Sequence, residues 1–326
     1  MATRKDKKMS NLNFAFFGTS EFSAKILEKL IENGYIPSLV VTAPDKPRGR
    51  KMIMTPPPIK VFAQKNNLKI IQPEKLNSKL FQKTDLPGLT SQSLRATMQD
   101  GFSSDYDLFI VASYGKIIPK SVLEIPKFGA LNVHPSLLPK FRGPSPIQSF
   151  ILSGEEKTGV TIMLMDEQVD HGQILSQKEF EALNPKSEIR NKSQIQNLKL
   201  NSKELEEKLA ELGGQMLVDA IPKWINGEIK PQEQDHSQAT FTEKINKEDG
   251  LVDLEKDKPE TIYRKFLAFQ SWPGVYYFTE KEGKNIRVII ADMEFQNGRL
   301  LIKKVKPEGK NEMSFADFLK GNNKLI

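Results

Sequence analysis

The first half of the chain alternates short apolar runs with longer stretches in which apolar residues recur at helical spacing. The apolar runs predict five strands, at Phe14–Gly18, Leu39–Thr42, Leu68–Ile71, Leu108–Ala112 and Ala130–His134. Between the first two, a helix is predicted from Ser20, as its N-cap, to about Asn33, and Gly34 ends it. Strands that alternate with helices are typical of a parallel sheet covered by helices.

Further along, the apolar pattern predicts two more strands and one long helix. The strands are Val160–Met165 and Gln173–Phe180, joined by a polar turn. The helix runs from about Ser202 to Asn226, where apolar residues recur near helical spacing. Its Gly213 and Gly214 weaken the expectation of an unbroken helix, because glycine costs roughly 1 kcal/mol relative to alanine in a helix interior.

Polar stretches and turn signals divide the rest of the chain. Segments at about 84–106 and 184–201 lack apolar periodicity, so we expect them to be insertions outside the core. Beyond a polar stretch at 227–238, a helix near Glu260–Phe269 and three short strands predict a small domain resembling a β-barrel. The three strands are Val275–Phe278, Arg287–Ile290 and Leu300–Lys303. The predicted organisation is a flexible basic lead-in at 1–11, a first domain at 12–226, a linker at 227–238 and a second, basic domain at 239–326.

Composition limits the class of protein. The 326 residues suffice for two domains, and the 38% of hydrophobic residues provide material for a core. The absence of cysteine excludes disulfides, thiolate nucleophiles and zinc ribbons, and a reducing compartment is the simplest setting. No apolar run approaches the roughly 18 residues that a membrane-spanning helix needs. We expect a cytoplasmic monomer without a membrane segment.

The formal net charge of +7 is unevenly distributed. Lys and Arg outnumber Asp and Glu from Thr261 to Ile326 and again from Pro44 to Lys60. Such clusters suit a polyanionic partner, because neutralised phosphates release their counterions. A generally basic, soluble surface would give the same pattern, so charge alone does not choose between the two interpretations.

The segment Asn132–Gly143 contains the most informative polar residues. Asn132 and His134 are two residues apart on a predicted strand, so their side chains share one face. In open α/β sheets the ligand crevice lies at the carboxyl ends of the strands, where Pro135–Gly143 would leave the sheet. An amide donor and an imidazole that can exchange a proton near neutral pH therefore converge where an active site is expected. A hydrogen-bonded core histidine beside an incidental asparagine is the alternative.

A second polar segment, Asp166–Gly172, forms the turn between the sixth and seventh predicted strands. If this turn folds over the same sheet edge, Asp170 could orient His134 or stabilise its charge. Asp close to Gly is also ordinary turn chemistry, so the turn alone specifies no function. A dinucleotide site is excluded by the first turn, because the single Gly18 before Thr19–Glu21 lacks the three glycines that a pyrophosphate requires.

Taken together, these residues resemble the folate-dependent formyltransferase family. The Asn-x-His pair, the Ser-Leu-Leu-Pro loop at 136–139 and the Asp-x-Gly turn occur in the family's order. Four more segments are similar to members that formylate methionyl-tRNA, namely Phe17–Phe22, Pro44–Arg50, Tyr114–Pro119 and Phe269–Gly274. Pro135 and His171 differ from the residues that are commoner in the family at these positions, but neither replaces a residue to which chemistry is assigned. The resemblance implies an α/β fold with a Rossmann-like, mostly parallel sheet in the catalytic domain, followed by a smaller OB-like β-barrel domain.

The resemblance also implies roles for these residues. The catalytic positions are matched by Asn132, His134 and Asp170, and the loop that contacts the folate is matched by Ser136, Leu137, Leu138 and Pro139. The co-substrate would be 10-formyltetrahydrofolate, the acceptor would be the amino group of methionyl initiator tRNA, and no metal is needed. Asn132 would stabilise negative charge on the formyl oxygen, and His134 with Asp170 would move the proton of the amine.

The basic segment Asp45–Pro58 is the predicted tRNA contact besides the second domain. It is predicted to be a loop bounded by prolines, and its basic residues are Lys46, Arg48, Arg50 and Lys51. These side chains suit phosphates and base edges, and Arg50 matches the family's loop arginine by position. Three alternatives stay open: a solvated charge run in this loop, a formyltransferase acting on a small amine such as glycinamide ribonucleotide or an amino sugar, and a non-enzymatic RNA-binding protein.

Overall fold

The computed structural model describes residues 12–49, 51–81, 106–181, 200–281 and 283–320. The predicted lead-in at 1–11, most of both predicted insertions and Arg50 lie outside these residues. The chain forms two compact units that alternate along the sequence. The first comprises Met1–Arg142, Val160–Lys178 and Leu209–Ala239, and the second comprises Gly143–Gly159, Glu179–Lys208 and Thr240–Ile326. The domain boundaries proposed from sequence stay a prediction.

A seven-stranded sheet forms the frame of the first unit. In chain order, the first nine strands of the described residues are β1 (Phe14–Gly18), β2 (Leu39–Val41), β3 (Lys46–Arg48), β4 (Ile53–Thr55), β5 (Ile70–Ile71), β6 (Leu108–Ala112), β7 (Ala130–His134), β8 (Lys157–Leu164) and β9 (Ile174–Glu181). The sheet order is β5-β2-β1-β6-β7-β8-β9, and β3 pairs separately with β4. The pairs from β5 to β7 are parallel, whereas β8 runs antiparallel to β7. The predicted mixed α/β fold with a mostly parallel sheet is therefore confirmed.

The central strands β1, β6 and β7 are buried along their whole length. Continuous apolar runs suit this position, because helices cover both faces of a parallel sheet. Aromatic rings fill one side of the core, and the ring centroids of Phe17 and Phe109 are 5.0 Å apart. Tyr106, the last residue of the predicted insertion at 84–106, is buried against Phe109 in this cluster. Burial raises the pKa of the neighbouring Tyr114 to about 12.

The described residues before the C-terminal sheet form the helices α1 (Glu21–Glu32), α2 (Pro58–Lys65), α3 (Lys120–Leu123), α4 (Pro146–Ser153) and α5 (Ser202–Ile225), of which α4 belongs to the second unit. α1 begins directly after Ser20 and is followed by Gly34, whose φ of +82° suits a glycine. The predicted capping bond of the Ser20 side chain is not made. Instead, the carbonyl oxygen of Ser20 accepts hydrogen bonds from the Ser23 hydroxyl (2.6 Å) and the Ala24 amide (3.1 Å).

Helix α5 confirms the helix predicted from about Ser202 to Asn226, and it continues without a break through Gly213 and Gly214. A Cβ atom on Gly213 would lie 2.6 Å from Val133 Cγ1, and one on Gly214 would lie 2.7 Å from Lys29 Cβ. The two glycines therefore allow α5 to pack closely against β7 and α1. This packing, which is not visible in a propensity scale, offsets the conformational cost of glycine in a helix.

The second unit contains an antiparallel sheet. Its elements are α6 (Pro259–Ala268), β10 (Val275–Lys281), β11 (Lys284–Gln296), β12 (Arg299–Pro307), β13 (Met313–Ser314) and α7 (Phe315–Lys320). The strands pair in the order β10-β11-β12-β13. This confirms a C-terminal antiparallel β domain and adds β13, which was not predicted, while closure into an OB-like barrel stays a prediction. Arg264 of α6 donates to the carbonyl oxygen of Ser153 (3.1 Å) at the end of α4.

None of the helices in the described part of the chain combines the length and the apolar character needed to cross a bilayer.

Candidate active site

Strand β7 carries Asn132 and His134 on one face, and both side chains are buried. In the pairing with β8, Asn132 lies opposite Met163 and His134 lies opposite Thr161. Because β8 runs antiparallel to β7, its last residues pair near the start of β7 rather than at its carboxyl end. The turn that follows β8 must therefore fold back over β7 to reach the two polar side chains.

This turn brings Asp170 to the same place. The Asp170 Oδ1 atom lies 3.3 Å from Asn132 Nδ2 and 3.6 Å from His134 Nδ1. Asp170 has a φ of +48°, in the left-handed region that residues other than glycine seldom adopt. The structure therefore brings together the three residues singled out from sequence, on one face of β7. Their catalytic roles stay a prediction.

The hydrogen bonds of His134 define which of its nitrogens carries a proton. Its Nε2 atom lies 3.0 Å from the carbonyl oxygen of Phe141. A carbonyl only accepts, so Nε2 must be the donor, and in the neutral ring the lone pair resides on Nδ1, toward Asp170. The 3.6 Å separation from Asp170 is longer than a hydrogen bond, so this contact becomes an ion pair when Nδ1 is protonated. Phe141 has a φ of +59°, so a strained residue supplies the carbonyl.

Two polar side chains, the buried Thr161 and the exposed Gln177, hold the loop at 136–139. The Thr161 hydroxyl donates to the carbonyl oxygen of Ser136 (2.7 Å) and accepts from the amide of Leu138 (3.1 Å). Gln177 Nε2 donates to both Thr161 Oγ1 and the carbonyl oxygen of Leu138, each at 2.9 Å. Neither Thr161 nor Gln177 was singled out from sequence, and a polar residue inside the apolar run of β8 was the available signal.

The four loop residues differ in what they offer to a ligand. Ser136 and Leu138 are buried, and the Ser136 hydroxyl donates to the carbonyl oxygen of Lys140 (2.7 Å). Leu137 and Pro139 are half-buried and alternate with them along the loop. Side-chain surface for a ligand is therefore concentrated on Leu137 and Pro139, whereas Ser136 acts inside the loop.

A second polar network lies behind the Asp170 turn. Arg142 is buried, and its Nη2 atom donates to Gln234 Oε1 (2.6 Å) and to His236 Nδ1 (2.8 Å). Because arginine has no acceptor, His236 Nδ1 must carry a lone pair, so the His236 ring is neutral in this arrangement. The His236 ring stacks on that of His171 with 4.0 Å between centroids, and His171 Nδ1 lies 2.6 Å from an Asp166 carboxylate oxygen.

The basic segment after β2 is an antiparallel hairpin, not the loop predicted from sequence. Asp45 anchors its base through Lys60 (2.8 Å) and Gln72 (2.7 Å), and these bonds, that of Gln72 foremost, lower the pKa of the Asp45 carboxyl. Lys46 and Lys51 are exposed. The acid of this segment is thus engaged by Lys60 and Gln72 at the base of the hairpin. Of the other two predicted contacts, Arg48 lies in β3 and Arg50 lies outside the described residues.

The segment Met52–Met54, which leads into β4, is an exposed apolar part of the hairpin. Met52, Ile53 and Met54 are each at least 60% exposed. Near the hairpin, burial and the charge of Lys46 lower the pKa of Lys116, whose Nζ donates to the carbonyl oxygen of Pro73 (2.8 Å). Such a combination of like charges and exposed apolar surface is typical of a surface that meets a partner.

In the described part of the chain, no three His, Asp or Glu side chains are grouped so as to hold a metal ion.

Comparison with known proteins decides the family. The family model described as "Formyl transferase" matches residues 12–221, and the one described as "Formyl transferase, C-terminal domain" matches residues 244–297. The chain belongs to the formyl transferase family. Within it, a methionyl-tRNA formyltransferase of Bacillus velezensis is 36% identical, with 94% of each chain covered.

Solved structures of the formyl transferase family share the fold. A methionyl-tRNA formyltransferase from Clostridium thermocellum gives a TM-score of 0.53 at 17% identity, covering 93% of this chain and 99% of that one. A sugar 3N-formyl transferase, solved in the presence of dTDP and 5-N-formyl-THF, gives 0.55 at 17% identity, covering 92% and 99%. Both kinds of acceptor therefore occur on this fold, and the fold alone does not choose between them.

Replacing Thr161 with valine should loosen the loop at 136–139. Valine keeps the shape but leaves the Leu138 amide and the Ser136 carbonyl without their partner, which costs roughly 1–3 kcal/mol per buried unsatisfied group. We expect faster hydrogen exchange of the Leu138 amide and a lower unfolding midpoint in urea. Thr161→Ser keeps the hydroxyl and should retain most of the protection. Unchanged exchange in Thr161→Val would contradict this account.

Proposed function

We propose that this formyl transferase moves the formyl group of 10-formyltetrahydrofolate onto the amino group of methionyl initiator tRNA. The observation that carries the proposal is the arrangement of Asn132, His134 and Asp170 on one face of β7, at 3.3 and 3.6 Å. The identity to a methionyl-tRNA formyltransferase over nearly the whole chain supports the acceptor. We place the reaction in the cytoplasm, where translation begins, and in a monomer.

The residues at this site fit a formylated folate. When bound, 10-formyltetrahydrofolate supplies the formyl carbon that the amino group attacks. Leu137 and Pro139 offer half-buried apolar surface for a flat ring, and the bonds of Thr161 and Gln177 hold their loop in place. Asn132 provides an amide donor and His134 a lone pair beside them.

His134 is the proton acceptor of the proposed reaction. In the neutral ring Nδ1 carries the lone pair, because Nε2 donates to Phe141. Nδ1 takes the proton that the amino group loses as it forms its new bond, and the ring becomes positively charged. Asp170, 3.6 Å away, then stabilises the imidazolium as an ion pair in a largely buried setting. The same proton can pass to the leaving nitrogen of the folate.

Asn132 stabilises negative charge in the proposed mechanism. Its Nδ2 atom carries two hydrogens, and the bond to Asp170 uses one of them at the long distance of 3.3 Å. The second hydrogen suits the formyl oxygen, on which negative charge develops as the amine attacks. The Asn132 amide would thus donate one hydrogen bond to the Asp170 carboxylate and the other to the formyl oxygen.

The basic hairpin and the second domain supply the proposed tRNA contacts. Exposed Lys46 and Lys51 attract phosphates, and in the second unit Lys and Arg outnumber the acids from Thr261 onward. A small amine would need neither surface, which favours tRNA over glycinamide ribonucleotide or an amino sugar. A protein that only binds RNA would not need Asn132 and His134 buried on β7 with the Asp170 carboxylate beside them.

One assay tests the acceptor. The protein is incubated with 10-formyltetrahydrofolate labelled in the formyl group, together with methionyl-tRNA or with glycinamide ribonucleotide and amino sugars. We expect label in methionyl-tRNA, and much slower labelling with Asp170→Asn as the control. Labelled small amines with unmodified tRNA would overturn the acceptor, and label in no acceptor would overturn the enzymatic function.

Removing either the amide donor of Asn132 or the base of His134 should abolish most of the turnover. Asn132→Ala should lower kcat by about 10²–10³, the range for loss of one donor to a developing oxyanion. His134→Ala should lower it by about 10²–10⁴, since positioned acid–base groups contribute that much. Both variants should keep the circular dichroism of the parent, and exposed Asn66→Ala serves as the matched control. Near-normal turnover in either variant would defeat the assigned role.

The hairpin lysines should be visible in the salt dependence of tRNA binding. For Lys46→Ala with Lys51→Ala, we expect weaker binding and a slope of log K against log salt that is shallower by about 1 per lysine. Binding isotherms between 50 and 200 mM salt, roughly the range over which phosphate contacts weaken markedly, measure this. Lys25→Ala on α1 is the control. An unchanged slope would exclude phosphate contacts by the hairpin.

A further inference from the structure

The side chain of Gln234 has every hydrogen-bonding group engaged. It is 4% exposed, and its Oε1 accepts from Arg142 Nε (3.2 Å) and Nη2 (2.6 Å). Its Nε2 donates to the carbonyl oxygens of Asp170 (3.0 Å) and Gly172 (2.7 Å). The partners fix the amide orientation, because a guanidinium only donates and a carbonyl only accepts. If the Gln234 amide were flipped, so that its nitrogen and oxygen changed places, all four bonds would be lost.

The two carbonyls that Gln234 holds flank the strained part of the turn. Asp170 has a φ of +48°, and such a conformation persists only where its surroundings over-determine it. Gly172 lies so close to the carbonyl of Leu164 that a Cβ atom would overlap it. The backbone of the turn thus packs closely against the Leu164 carbonyl and is hydrogen-bonded to Gln234.

We propose that Gln234 is a positioning residue for Asp170, acting from the segment at 227–238 through the backbone of the turn. The inference rests on the proposed function, because it assumes that the Asp170 carboxylate acts on His134. Without the Nε2 donors, the two buried carbonyls lose their partner and the turn can relax toward negative φ. The carboxylate would then leave its place 3.3 Å from Asn132 and 3.6 Å from His134.

Arg142 makes this role more specific. Its guanidinium is buried, so desolvation lowers its pKa, while the carboxylates of Asp170 and Asp166 oppose that shift. Gln234 Oε1 and His236 Nδ1 hold the guanidinium within electrostatic range of the Asp170 carboxylate. One amide therefore binds both the turn that presents the carboxylate and the buried guanidinium of Arg142.

The test separates the two ends of the amide. Gln234→Glu keeps an acceptor for Arg142 but cannot donate to the carbonyls of Asp170 and Gly172. We expect kcat to fall about 10–100-fold, the order expected for a misplacement near 1 Å, with KM for both substrates changed less than threefold. Gln215→Glu, the same change on the exposed face of α5, is the control and should leave kcat within twofold.

A double-mutant cycle distinguishes positioning from general stability. If Gln234 acts through Asp170, Gln234→Glu should add less than twofold to the loss already caused by Asp170→Asn. Additive losses, or near-normal kcat in Gln234→Glu, would overturn the inference while leaving the proposed function intact. Near-normal turnover in Asp170→Asn alone would overturn the proposed function instead. Gln234→Met provides an uncharged second variant, and unfolding of both variants would assign Gln234 to stability and sink the proposal.

Discussion

The hydrogen bond from His134 Nε2 to the carbonyl of Phe141 commits that ring nitrogen to carrying a proton. Every other assignment at the site follows from it, because the lone pair of the neutral ring is then directed toward Asp170 and Asn132. A carbonyl that turned away would allow the other tautomer, and the base would face the wrong side of β7. The left-handed conformation of Phe141 is the backbone condition for this orientation.

The site is held by polar side chains that do no chemistry themselves. Thr161 and Gln177 bind the loop at 136–139, and Gln234 binds the turn that carries Asp170. Each of them satisfies backbone groups that would otherwise be buried without a partner, which is costly in a low-dielectric interior. Such networks restrict the loops to one conformation more strongly than apolar packing does, since a hydrogen bond is directional.

The parts of the molecule that sequence predicted well are those with a local signal. Strands β1 and β6 are continuous apolar runs because both faces of the sheet are covered, β7 is apolar except for Asn132 and His134, and the predicted bounds of all three match the structure. Asn132 and His134 followed from the two-residue period of a strand. What escaped prediction depends on distant partners: the register of β8 that folds the Asp170 turn back over β7, and the approach of Val133 that requires Gly213 in α5.

Gln234 and the basic hairpin illustrate the same limit in polar sequence. Gln234 lies in a stretch without periodicity, where nothing marks one glutamine as buried and its neighbours as exposed. At the hairpin the sequence predicts a loop, because Pro47 and the basic residues obscure the short strands β3 and β4. Polar segments carry no hydrophobic pattern from which burial or pairing could be deduced.

The exposed apolar segment Met52–Met54 has a thermodynamic consequence of its own. In the free protein these side chains order water, and any partner that covers them releases that water and lowers the heat capacity of the system. This contribution does not depend on ionic strength, whereas the attraction of the neighbouring lysines does. Calorimetry over a range of temperatures could therefore detect contact with this apolar segment even at a salt concentration that screens the attraction of the lysines.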